Sequence, residues 1–304
     1  MSKNTFTHKT SHSDIVSDGW FDRYAPASWL PYLKLGRFDR PVGVWLTLFP
    51  GYWGLTLGAG GFKSAHLPLY LYFLIGAFFI RAAGCVVNDL WDRNLDKAVE
   101  RTATRPLASG QLNLRQAFAF LFFLLSCAFA VLIQLPLPAI LIGVFAVIPI
   151  CIYPLMKRFT FWPQLFLGLT FNLSLPIGWF STSTEWSLTP LLLYFAVTFW
   201  TIGYDTIYAF QDIKDDLKIG IKSTAIKFQS HPKLFVGIIY GIGFILSVIG
   251  FGALWYYALP LAAHATWQLR TWDINDRYNA LVRFKSNASL LCIVWLGLVV
   301  GLAL

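Results

Sequence analysis

Residues 67–96 read LPLYLYFLIGAFFIRAAGCVVNDLWDRNLD. From 67 to 87 the run is apolar apart from Arg81, and about 20 such residues cross a bilayer as a helix. Asn88, Asp89, Asp92 and Asp96 follow at once. A helix turns about 100° per residue, so these four share one face, with Arg81 two turns deeper on the same side. Acids at a helix C-terminus meet the negative end of the dipole, and acids near hydrocarbon are costly. A cation must offset them, and a metal ion is the simplest one.

The chain has 304 residues, 57% hydrophobic and only 13% charged. A soluble domain carries about 25% charged residues, so the composition points to an all-α polytopic membrane protein. Cys85, Cys127, Cys151 and Cys292 are single residues in apolar segments, with neither zinc spacing nor a disulfide framework. Residues 1–30 form a polar tail without an apolar signal core, and its acids and scarce Arg argue against a transit peptide. An amphipathic segment, 29–39, approaches the membrane.

Nine apolar segments are expected to span the membrane: 42–60, 67–87, 117–134, 138–155, 162–181, 188–210, 234–251, 253–269 and 288–304. With the N-terminus in the cytoplasm, all but two of the 24 basic residues lie in the N-terminal segment or cytoplasmic loops, as the positive-inside rule requires. The exceptions are Lys63, outside, and Arg81, within a span. Residues 31–304 then form a single membrane domain, and the net charge of +9 reflects topology rather than nucleic-acid binding.

A second acidic motif, Asp205, Asp212, Asp215 and Asp216, closes the sixth segment. On a helix Asp205, Asp212 and Asp216 fall within a narrow arc. Both motifs are oxygen surfaces without His or Cys, which suits a hard cation such as magnesium. Bases accompany them: Lys97, Arg101 and Arg105 after the first, Lys222 after the second, and Lys157 and Arg158 ahead of the fifth segment. Metal with Arg and Lys is equipment for a diphosphate. A cation-coupled transporter explains the acids but not these bases. Arg81 either pairs with a motif acid such as Asp205 or binds an anionic substrate group.

These residues resemble the UbiA superfamily of intramembrane prenyltransferases. Asn88, Asp89, Asp92 and Asp96 look like its N-D-x-x-D-x-x-x-D motif, and Arg101 to Leu107 is close to its R-T-A-x-R-P run. The stretch from Tyr204 through Asp216 to Thr224 is similar to the 4-hydroxybenzoate polyprenyltransferase branch. So are Arg37 to Gly43, Tyr153 to Arg158 and Phe284 to Asn287. Arg40 stands where Lys is common, and Asn172 where Gly is expected.

The resemblance implies nine helices around a central cavity and magnesium-dependent transfer of a polyprenyl group from its diphosphate to 4-hydroxybenzoate, ortho to the hydroxyl, in ubiquinone biosynthesis. Other aromatic acceptors fit the same motifs. Asn88, Asp89, Asp92, Asp96, Asp205, Asp212 and Asp216 are the expected metal ligands, and Asp89, Asp92, Asp205 and Asp212 the catalytic acids, with Asp205 a candidate base. Lys97, Arg101, Arg105, Lys157, Arg158 and Lys222 are expected on the diphosphate, and Arg81 or Arg158 on the benzoate carboxylate. Tyr153, Tyr204 and Tyr208 are candidates to face an allylic cation. The prenyl tail runs between helices into lipid. The expected location is a bacterial inner membrane with the site facing the cytoplasm, in preference to the mitochondrial inner membrane.

Overall fold

A computed structural model describes residues 19–99 and 101–303. Of the polar tail, residues 1–18 lie outside the described part. Two short helices follow, α1 (Trp20–Tyr24) and α2 (Leu30–Leu35). A Lys34–Asp22 ion pair of 2.5 Å ties them together. Trp20, Tyr24 and Trp29 are exposed, as aromatic residues are at a headgroup level.

The first six expected segments correspond to α3 (Val42–Gly58), α4 (Leu67–Asp96), α5 (Leu114–Leu132), α6 (Leu137–Phe159), the pair α7 (Pro163–Phe171) and α8 (Ser174–Thr182), and α9 (Leu188–Ala209). Two small helices cross the following loop, α10 (Ile213–Ile219) and α11 (Thr224–Lys227). The last three segments are α12 (Pro232–Phe251), α13 (Leu259–Thr271) and α14 (Arg277–Gly301). The protein is all-helical across these elements.

Among the described residues, six helical runs are long and apolar enough to cross a membrane, where nine spans were expected. The difference has identifiable sources. α3 has only 17 residues. α9 is rich in Thr, Tyr and Trp, which lowers its hydropathy. Residues 232–271 run on as one helical stretch, in which α12 and α13 are joined across a kink at Gly252–Ala258, where Gly252 takes a φ of 57°. The fifth segment, by contrast, is broken at Asn172 and Leu173. Pro176 has no N–H for the Asn172 carbonyl four residues back, and its ring crowds that carbonyl. Leu175 N–H takes it instead, at 2.9 Å.

α4 has 30 residues. At 1.5 Å per residue it is about 45 Å long, against a hydrocarbon core of about 30 Å. Its motif end therefore projects beyond the apolar slab. The α3–α4–α14 seam is filled by Tyr52, Tyr70 and Trp295, with ring centroids 4.9–6.0 Å apart. Thr56 accepts the Trp295 indole N–H at 3.1 Å and meets the Tyr70 hydroxyl at 2.8 Å. A buried polar group joins α9, α12, α13 and α14. In it the Trp200 indole donates to Asn287, the Gln268 amide donates to Asn287, and the Tyr240 hydroxyl donates to Gln268.

α3 and α8 pack backbone to backbone. A Cβ added at Gly178 would lie 2.9 Å from the Leu55 amide nitrogen, where nothing can yield. Gly178→Leu should therefore cost at least the ~1–3 kcal/mol of overpacking, read as earlier thermal unfolding in detergent. Gly241→Ala, where an added Cβ meets open space, should be neutral or slightly stabilising.

Candidate active site

The first motif lies on one face of α4. Cys85, Asp89, Asp92 and Asp96 recur at helical spacing and all are buried. Each of the three acids meets a cation. Asp89 accepts from Arg37 at 2.8 Å and from Arg105 at 3.2 Å. Asp96 accepts from Arg105 at 3.0 and 3.1 Å. Asp92 pairs with Lys157, and Arg158 stands 3.7 Å from its Oδ1. Asn88 donates to Asp89 at the outer limit, 3.5 Å. The loop that supplies Arg105 folds back because the Thr102 hydroxyl donates to the Asp96 carbonyl at 3.0 Å.

The second motif is brought to the first by the same loop. Arg101 grips Asp212 with two bonds, Nε to Oδ1 at 2.8 Å and Nη2 to Oδ2 at 2.6 Å. Such a bidentate pair fixes orientation as well as distance. Lys222 donates its amide to the Lys157 carbonyl at 2.8 Å and its ammonium to the Phe159 carbonyl at 3.3 Å. Lys157 thus links the motifs, its ammonium on Asp92 and its carbonyl on Lys222. Asp215 points elsewhere, to Lys218 at 3.4 Å and Arg277 at 3.8 Å.

Burial first, and then the Asp212 carboxylate beside it, push the Asp216 carboxyl up to about 7; Lys157 and Arg101 pull the other way. Asp205 is separate from this cluster and feels the charge of Arg81.

The expected residues thus divide. Asp89, Asp92, Asp96, Asp212, Asp216, Arg101, Arg105, Lys157 and Arg158 form one acid–base cluster. Lys97 caps α4 with its side chain exposed. Tyr204 and Tyr208 pack on Phe284 of α14, with centroids at 5.6 and 4.4 Å. Arg37 was quoted for its resemblance but not chosen as a site residue, yet it holds Asp89. Its φ of 56° places a non-glycine residue in the left-handed region, an arrangement that is retained at functional positions.

Two cavities lie below. One, about 330 Å³, is almost wholly apolar and runs between α3, α4, α5, α6 and α8. The other, about 100 Å³, is lined by Arg81, Tyr153, Thr170 and Phe171 among others. They share Thr47, Ile80, Ala146, Ser174 and Ile177. The order along α4 is apolar cavity (72–80), smaller cavity (80–84), acid motif (88–96). α6 repeats it, with 143–147, 146–153 and Lys157. The Arg81 guanidinium lies 5.6 Å over the Phe171 ring and touches the Cys85 sulfur. Among the described residues its buried Nε has no hydrogen-bond partner.

Among the described residues no three acids, histidines or cysteines stand close enough together to hold an ion, because Arg and Lys occupy the carboxylates. The chemistry nevertheless fits a hard divalent cation. The donors are oxygens only, Asp92 Oδ1 is buried without a hydrogen bond, and Asp212 and Asp216 crowd each other.

Helices with acids and bases clustered at their ends above an apolar cavity define a membrane protein equipped for an anionic headgroup on a lipid-like tail. The comparisons agree. Residues 47–302 match the UbiA prenyltransferase family. A Rattus norvegicus protein named 4-hydroxybenzoate polyprenyltransferase, mitochondrial, is 42% identical over 287 residues, covering 91% of this chain and 76% of its own length. The Homo sapiens protein of that name is 41% identical over 91% of this chain and 76% of its own. The fold matches a UbiA homolog from Aeropyrum pernix K1 with TM-score 0.71 and 24% identity, over 85% of this chain and 97% of that one. A UbiA homolog from Archaeoglobus fulgidus bound to GPP and Mg2+ matches with TM-score 0.69 and 20% identity, over 88% and 99%. This chain belongs to the UbiA prenyltransferase family.

One expectation is corrected. The bacterial inner membrane gives way, because these relatives are described as mitochondrial. The expectation rested on the composition of the first 30 residues. The spans themselves obey the same hydrocarbon thickness and charge bias in either membrane.

Metal binding should depend on pH through Asp216. A carboxyl at about 7 must lose its proton before it can ligate, so affinity for Mg2+ or Mn2+ should fall as pH drops through 7. Calorimetric titrations at pH 6 and 8 check this, and Asp216→Asn should flatten the difference.

Proposed function

We propose that this protein transfers a polyprenyl group from polyprenyl diphosphate to the ring carbon ortho to the hydroxyl of 4-hydroxybenzoate, in ubiquinone biosynthesis, in a mitochondrial membrane. The observation that carries this reading is the order of three environments along α4 and α6: apolar cavity, arginine-bearing cavity, acid–base cluster. A prenyl tail, a small anionic ring and a diphosphate would occupy them in that order. The names of the relatives support the acceptor. Residues 31–304 act as one membrane domain of nine spans, its N-terminus and both motifs on the side of the basic loops.

Magnesium held by Asn88, Asp89, Asp92, Asp96, Asp212 and Asp216 would neutralise charge on the diphosphate oxygens as the prenyl C1–O bond breaks. The neighbour described with GPP and Mg2+ supports that choice of metal. Arg101, Arg105, Lys157, Arg158, Lys97 and Lys222 bind the leaving diphosphate with charge-assisted bonds. Arg81 holds the acceptor carboxylate, its Nε still free to donate. Tyr153 and Phe171 wall the ring and the allylic C1 and keep water away from the cation; Tyr204 and Tyr208, packed on Phe284, stand outside that wall. The ring carbon attacks C1, the new C–C bond forms, and Asp205 takes the ring proton. Acids paired with bases at helix ends leave a cation-coupled transporter without a support of its own.

Membranes containing the protein, labelled 4-hydroxybenzoate, a polyprenyl diphosphate and Mg2+ should yield a labelled lipid. No such product would sink the assignment. Asp92→Ala and Asp212→Ala should each cost 10²-fold or more in turnover, as losing one transition-state stabiliser does, with expression unchanged. Arg81→Met should raise the 4-hydroxybenzoate KM by roughly 10- to 100-fold, the worth of a charged hydrogen bond, and leave the prenyl diphosphate KM within about twofold.

A further inference from the structure

The break in the fifth segment is unusual for a membrane helix. Irregular backbone at that depth persists only where it is buried in protein or lines a cavity, and interrupted helices mark binding sites in other membrane proteins. Here both conditions meet. Thr170, Phe171, Leu173 and Ser174 flank the break and line the smaller cavity opposite Arg81.

Pro176 causes the break, and Asn172 fixes its shape. Asn172 is 2% exposed. Its Nδ2 donates to the Gly168 carbonyl at 2.8 Å, which ends α7, and to the Thr201 hydroxyl at 2.9 Å, which ties the break to α9. Thr201 is held in turn by donation to the Val197 carbonyl at 2.8 Å, and it meets the Tyr204 phenol one residue before Asp205. α7 also approaches α9 closely, since a Cβ on Gly168 would lie 2.9 Å from the Thr198 carbonyl oxygen. Asn172 thus joins the wall that carries Phe171, on which Arg81 rests, to the helix that carries Asp205.

We propose that Asn172 is a positioning residue for the aromatic acceptor: it sets the wall of the Arg81 cavity and does not touch the diphosphate site. This rests on the reading that the Arg81 cavity takes 4-hydroxybenzoate. A side chain without the amide leaves Phe171 and Ser174 unregistered against α9, so the ring binds loosely while the diphosphate end is undisturbed.

The test uses the whole protein in lipid nanodiscs. It measures equilibrium binding of 4-hydroxybenzoate and KM for both substrates. Asn172→Ala should weaken acceptor binding and raise acceptor KM about 10-fold, and Thr201→Val about threefold, the range of one hydrogen bond. The prenyl diphosphate KM should stay within about twofold. The double variant should be no worse than Asn172→Ala alone, because the two share one bond. Unchanged acceptor affinity in both variants would overturn the proposal. So would a parallel rise in both KM values, which a purely structural role gives. If Asn172→Ala does not fold, Thr201→Val decides by the same two measurements. Wild-type protein that binds 4-hydroxybenzoate but makes no product sinks the proposed function alone, and the binding constants of the variants still judge Asn172.

Discussion

A carboxylate buried at the end of a membrane helix needs a cation, and this requirement organises the molecule. Asp89, Asp92 and Asp96 are each less than a tenth exposed. Their desolvation would cost several kcal/mol apiece if they were left unpaired. Arg37 from the α2–α3 connection, Arg105 from the loop after α4 and Lys157 from the end of α6 answer them. Three separate parts of the chain are thereby drawn to one helix face. The Arg101–Asp212 pair extends the same logic to the second motif, so the two acidic runs, more than a hundred residues apart in sequence, meet through a base rather than by direct contact.

Because the acids repel one another, they cannot converge without those bases; burial first, and then the neighbouring Asp212 carboxylate, push the Asp216 carboxyl up to about 7. The arrangement is balanced rather than rigid. On the proposed function, metal and diphosphate enter with opposite charges. Asp89, Asp92, Asp96, Asp212 and Asp216 would hold the metal, and Arg101, Arg105 and Lys157, freed from them, would be in place for the diphosphate. Two sets of pairs replace one, and the net charge of a water-poor region changes little.

Much of this was legible in the residue order. The spacing of Asp89, Asp92 and Asp96 put them on one face, and Arg81 stood out as a charge inside a span. The bases that pair with the acids stood close by, Arg101 and Arg105 just after the first motif and Lys157 ahead of the fifth segment. What was hidden needed the loops in three dimensions. Nothing in periodicity shows that Thr102 turns its loop back onto Asp96, or that Arg37 reaches Asp89 from a left-handed turn. Asn172 was legible as a departure from the family pattern but not as the pin of a helix break. That meaning comes from Pro176 four residues on and from Thr201 on another helix. The membrane's identity was not legible at all, since spans and basic loops obey rules common to both candidate membranes.

The placement of Arg81 shows why the order of environments matters more than any single residue. A guanidinium one turn deeper would face the apolar cavity wall at Ala77 and Phe73 with no polar neighbour. One turn shallower, at Cys85, it would fall into the neighbourhood of Asp89 and be consumed by the acids. At position 81 it lies over Phe171, which covers one face of the guanidinium, while Nε remains without a partner among the described residues. α4 thus holds apart two kinds of positive charge: bases that neutralise acids at its end, and one arginine kept clear of them. An anionic ring that reaches the smaller cavity meets the second kind, beside the apolar chamber and below the acids. A carboxylate in the acid–base cluster itself would compete with five others, Asp89, Asp92, Asp96, Asp212 and Asp216, for the same bases.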